Sequence, residues 1–243
     1  MNLRVVLFLV FTFGLALQGR SAIAEDYTPM KVIQTDAIVF PRRATELGIR
    51  TGEVHVSVEV DEKGKLSDIL VTGYTHPLLA ETAVQALKRW QYEPAWLHGQ
   101  ARSATIALVF TFESQGMVVV DMNVNSYVAM RDLAMRPNAY TYSARTLRQL
   151  DRIPTPTKVV QPINPQNPAN RNPVAVTVVF FIDEKGTVRL PAVSRETSET
   201  ADQFAAAALA AVSQWQFEPP LSQGQPVLVA ARQEFKFRPL PPK

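Results

Sequence analysis

Histidine is the usual base of nucleophilic catalysis, and it occurs at three positions, His55, His76 and His98, none paired with another at metal-ligand spacing. His55 falls on the polar face of an alternating strand, His76 precedes a helix-opening proline, and His98 abuts Gly99, so they read as solvated or capping residues. The chain has no cysteine, which removes thiol chemistry, disulfides and lipid attachment through an N-terminal Cys. Asp61 and Asp183 sit in Asp-Glu-Lys-Gly turns, and turn formation accounts for them without acid–base work. Glu93 and Glu218 each precede a proline, but nothing in the spacing brings the two carboxylates together. No glycine-rich loop is present to cradle phosphate. We therefore expect no catalytic residues, no metal and no cofactor, and read the chain as a non-enzyme.

The elements that carry these residues are written twice. A helix-period face of Leu79, Ala83, Leu87 and Trp90 runs into Trp90-Gln91-Tyr92-Glu93-Pro94, a Gly99-Gln100 turn and a strand ending at Phe112. The same order returns as Phe204, Ala208, Val212 and Trp215, then Trp215-Gln216-Phe217-Glu218-Pro219, Gly224-Gln225 and a strand ending at Phe237. Trp90 returns as Trp215, Gly99 as Gly224 and Phe110 as Phe235, the same 125-position step each time. Ahead of the first helix, Val54, Val56, Val58 and Val60 alternate with Glu53, His55, Ser57 and Glu59, which predicts a half-buried strand. Trp90, Tyr92, Pro94, Trp215, Phe217 and Pro219 are expected to be structural, packing the helix ends.

Gly52-x-Val54-x-Val56, Asp61-Glu62-Lys63-Gly64, an alanine-rich helix, Trp90-x-Tyr92-x-Pro94, Gly99-Gln100 and a Phe-ended strand together resemble the C-terminal domain of TonB, the periplasmic energy transducer. The second copy keeps Asp183-Glu184-Lys185-Gly186 and the Trp215 motif, with a looser lead-in at Asn164-Pro165. The resemblance implies an α+β fold: two repeated TonB C-terminal-like units, each a small antiparallel sheet with one main helix packed on it.

Boundaries follow. Residues 1–24 look like a signal peptide, with Arg4, an apolar run over residues 5–17 and Ala22-Ile23-Ala24 before Glu25. That run is shorter than the roughly 17 to 25 residues a spanning helix needs. Residues 25–114 form repeat 1, 115–152 a connector and 153–243 repeat 2. Losing Arg4 and Arg20 with the leader takes the formal charge from +3 to +1, which gives no electrostatic footprint for nucleic acid. The lead beginning Thr28-Pro29 is echoed by Thr155-Pro156, so each is expected to dock on its unit as an extended segment. In the connector, residues 117–121 read as one more strand and 143–150 as a short helix. Its arginines, among them Arg136, Arg145, Arg148 and Arg152, read as a solvated face. The opening strand of repeat 2 is apolar on both faces, through Val174, Val176 and Val178 and through Val179 and Phe181. Its outer face must be covered, by repeat 1 or by the 117–121 segment.

By resemblance, the sheet edge accepts an extended segment of a periplasmic or outer-membrane protein such as a TonB-dependent receptor, through β-strand addition. The candidate rims are the closing strands, with Thr105, Ala107, Val109 and Thr111 in repeat 1 and Leu228, Ala230, Arg232 and Glu234 in repeat 2. Repeat–repeat pairing or a homodimer would use the same rims. The location implied is the periplasm, after cleavage behind Ala24. Two other readings are a membrane-anchored transducer with an uncleaved N-terminal helix, and a peptidoglycan binder using the connector arginines with Tyr140 and Tyr142.

Overall fold

The computed structural model describes residues 27–116, 118–123, 133, 136, 139–165, 173–194 and 202–239. The expected signal segment lies outside these residues. Unit 1 comprises β1 (Tyr27–Thr28), β2 (Lys31–Gln34), α1 (Arg42–Glu46), β3 (Thr51–Val60), β4 (Leu66–Tyr74), α2 (Pro77–Leu87), β5 (Gln91–Glu93), β6 (Ala95–Leu97), β7 (Gln100–Arg102) and β8 (Ala104–Glu113). The connector supplies β9 (Val119–Asn123), β10 (Tyr142–Ser143) and β11 (Arg145–Thr146). Unit 2 holds β12 (Pro156–Lys158), β13 (Val174–Ile182), β14 (Val188–Val193), α3 (Asp202–Val212), β15 (Gln216–Phe217), β16 (Leu221–Ser222), β17 (Gln225–Pro226) and β18 (Val229–Phe237).

The valine alternation of β3 places Val54, Val56, Val58 and Val60 under α2, where they pack with Leu79, Ala83 and Leu87 and with Leu108, Phe110 and Phe112 of β8. In unit 2, Val174, Val176, Val178 and Phe180 meet Phe204, Ala208, Val212 and Trp215 in the same way. The central pairs keep register: Val54 lies opposite Phe110 on β3–β8, and Val176 opposite Phe235 on β13–β18. Trp90 rests on Phe110 with ring centroids 5.9 Å apart, and Trp215 on Phe235 at 5.7 Å. The two indoles thus close equivalent cores. Their N–H groups differ: Trp215 Nε1 donates to the Val160 carbonyl at 2.8 Å, while Trp90 Nε1, also buried, has no partner among the described residues.

Both Asp turns form as expected. Asp61 Oδ1 accepts from the Lys63 and Lys65 N–H groups at 2.9 and 2.8 Å, and Asp183 Oδ1 from those of Lys185 and Thr187 at 3.0 and 2.8 Å. Gly186 closes its turn at φ +83, and a Cβ added there would collide with the Phe217 carbonyl oxygen, so no side chain fits. The leads dock as extended segments, β2 on β5 and β12 on β15. Pro191 lies on β14, the edge strand of its sheet, and the ladder shifts between Val179 and Phe181 beside Leu190, whose φ is +50.

The two units touch. Phe181 and Leu190 of unit 2 pack with Leu70 of β4, Ala144 of the connector and Leu228. The doubly apolar β13 is explained by this contact: unit 1 and the connector cover its outer face. Residues 119–121 do not, because they run within β9 along β8 instead. Arg189 of β14 reaches across to Asp68 of β4, its Nε donating to Oδ2 at 2.8 Å and its Nη2 to Oδ1. The expected helix over 143–150 is corrected: the chain gives β10 to unit 1, β11 to unit 2 and only a 3-10 turn at Leu147–Gln149. Leu147 and Leu150 are drawn onto the unit 2 core, and that pull outweighs the local helical period.

Candidate interaction rims

Among the described residues, no three His, Asp or Glu side chains gather as a metal set. His76 caps α2, its Nδ1 accepting from the Leu78 N–H at 3.2 Å, and His98 takes a left-handed turn conformation at φ +51. His55 departs from the solvated reading. It is 2% exposed, because the connector lies over the polar face of β3. Its Nε2 is 3.0 Å from Tyr140 Oη, which in turn donates to Glu53 Oε2 at 2.6 Å. Arg136 forks onto both Glu53 oxygens at 3.3 and 3.0 Å and donates to Tyr140 Oη at 2.9 Å. Burial pushes the Glu53 carboxyl up, but the bonds from Arg136 and Tyr140 and the guanidinium charge outweigh it, so its pKa lies below 4.5. The geometry of the cluster is that of a clasp fastening the connector to sheet 1.

Tyr142 and Arg152 of the connector are committed in the same way. Tyr142 stacks on Tyr74 at 5.3 Å and donates to Glu184 Oε1 at 2.6 Å. Burial and that carboxylate raise its hydroxyl far above the usual range. Arg152 pairs with Glu218 at 2.8 Å, and Arg145 lies in β11. Arg136 and Arg152 are therefore not simply a solvated face, and Tyr140 and Tyr142 are not displayed as a sugar platform.

Sheet 1 runs β10-β4-β3-β8-β9 and sheet 2 runs β11-β18-β13-β14. The β8 rim expected to bind a partner is filled from within: Thr111 lies opposite Val119, Val109 opposite Asp121 and Ala107 opposite Asn123. Thr105 lies on the same strand, paired on its other side with Glu59 of β3. β9 folds back because Val118 and Val120 find apolar cover against the unit 1 core. In unit 2, Leu228 is fully buried in the inter-unit cluster and its carbonyl accepts from the Arg145 N–H at 2.8 Å, while Ala230 pairs with Thr146. Beyond Ala230 no described residue forms a ladder with the free side of β18. Arg232 and Glu234 stand exposed there, together with Gln233 and Lys236. Phe235, only half-buried, faces the core side. Of the rim residues expected from the sequence, Arg232 and Glu234 thus lie on the unpaired stretch, where Phe235 alternates with the charges of Glu234 and Lys236.

A family model, Gram-negative bacterial TonB protein C-terminal, matches residues 36–114 and again 169–239, which is more than half of the chain. Comparison with curated proteins yields no match. No helix among the described residues is long and apolar enough to cross a membrane.

Proposed function

Because this chain belongs to the TonB C-terminal family, as a tandem of two such units that serves as a non-catalytic protein-interaction module, we propose that it works in the periplasm by strand addition along the free side of β18. A segment of an outer-membrane or periplasmic partner lies extended against residues 231–237, taking affinity from main-chain hydrogen bonds and selectivity from alternate side chains. One observation carries this reading: the matching side of β8 already holds a strand, while beyond Ala230 that side of β18 forms no ladder among the described residues. Unit 1, closed by β9 on one side and β10 on the other, then serves as the platform. Export with cleavage behind Ala24 belongs to the same reading, and mass spectrometry of the mature protein should find Glu25 at its N-terminus.

Capture from envelope extract tests the mode. Adjacent residues of a strand send their N–H groups to opposite neighbours. Of Gln233→Pro and Glu234→Pro, one therefore removes a donor from the free side and the other a donor to β13. The variant that keeps the wild-type melting temperature should lose the captured partner. Undiminished capture by that folded variant would refute strand addition at β18.

A further inference from the structure

We infer that the free side of β18 selects a segment running antiparallel to it, with an apolar side chain against Phe235, a base opposite Glu234 and acids opposite Lys236 and Arg232. The inference rests on the strand-addition reading above and adds the chemistry of the occupant.

Direction and register come from the occupant that unit 1 already holds. β9 runs antiparallel to β8 from the Thr111–Val119 pair to the Ala107–Asn123 pair. β8 and β18 are equivalent strands: each is registered against its central neighbour through Phe110 or Phe235, and each carries its indole on that phenylalanine. A segment seated like β9 would therefore span Lys236 to Arg232.

The core side sets the apolar position. Val120 lies opposite Phe110, and Phe110 is fully buried. Phe235, without such a neighbour among the described residues, is only half-buried and calls for one. The next core-side pair is Leu108 with Met122, but the unit 2 counterpart is the exposed Gln233, which suits a polar partner.

The outer side has been rewritten. Thr111, Val109 and Ala107 of β8 correspond to Lys236, Glu234 and Arg232 of β18, so three uncharged positions become plus, minus, plus. The three charges are exposed, and Lys236 Nζ and Glu234 Oε1 stand 3.2 Å apart along the strand. Cross-strand neighbours of opposite sign are favoured and like signs are penalised. A copy of β9 on this rim would set Asp121 against Glu234. The two rims are thus not interchangeable, and unit 2 calls for acid, apolar, base, polar, acid in that order.

The test uses the full chain and two fluorescent peptides of identical composition, with cores Glu-Val-Lys-Gln-Glu and Lys-Val-Glu-Gln-Glu, read by anisotropy at low salt. Moving the lysine converts two matched pairs into two like-charge pairs, and the first peptide should bind about tenfold more tightly. The exchange Glu234→Lys with Lys236→Glu leaves the net charge of the protein unchanged and should invert the preference. Equal binding of both peptides, no binding of either, or a preference that survives the exchange would each overturn the pattern. Strand addition itself is judged separately by the capture experiment with the folded proline variant, so the two ideas can fail independently.

Discussion

Phe181→Ala is the most direct probe of how the units are joined. In a free repeat this side chain would point into water from the outer face of β13, and its truncation would cost little. Here it is 5% exposed, enclosed by Leu70 of unit 1, Ala144 of the connector, and Leu190 and Leu228 of its own unit. Removing a buried phenyl ring costs about 3 to 5 kcal/mol, and partial collapse of the contact places the expectation near the lower end, about 3 kcal/mol. The cost should fall on the coupling between units as well as on unit 2. Urea unfolding can be followed through Trp90 in unit 1 and Trp215 in unit 2, using chains in which Trp96 and the other buried tryptophan are replaced by phenylalanine. With Phe181 present the two probes should report one transition; with alanine they should separate, unit 2 unfolding at lower urea. A loss below about 1 kcal/mol with coincident transitions would refute the contact, since exposed substitutions fall in that range.

Three other outcomes follow from the geometry. Trp215→Phe should cost about 1 kcal/mol more than Trp90→Phe in thermal unfolding, because only the former deletes a hydrogen bond, the one to the Val160 carbonyl. Gly186→Ala should destabilise unit 2 by more than about 1 kcal/mol in urea, as the left-handed turn and the Phe217 carbonyl both resist a Cβ. The Glu53 clasp gives a pH signature. Its folded pKa is depressed, so its stabilisation is full above the ordinary value of 4.5 and is lost as pH falls through the folded value. Glu59, half-buried on the same face, is shifted upward and acts in the opposite sense, so the measurement is the difference in acid unfolding between wild type and Glu53→Gln. That difference should shrink as the pH drops below 4.5.

Periodicity exposed what depends on one strand or one helix: the Val54 to Val60 face, the Leu79 to Trp90 stripe, the two Asp turns and the duplication itself. It could say which way His55 points but not what lies on top of it, and the cover comes from Tyr140 and Arg136, more than eighty positions away. The same limit hid the filling of the β8 rim. Val119 and Asn123 look like any short alternating run, and only the apolar cover that Val118 and Val120 find against a completed core tells β9 where to lie. The short helix expected over 143–150 failed because a stretch of that length obeys its neighbours more than its own propensity.

Ala144 alone separates β10, which belongs to the ladder of sheet 1, from β11, which belongs to that of sheet 2. Two successive α-carbon steps allow about 7 Å between the flanking residues, so this leash has essentially no slack. The joint therefore ties the outer strand of sheet 1 to the rim of β18 through a single residue of backbone.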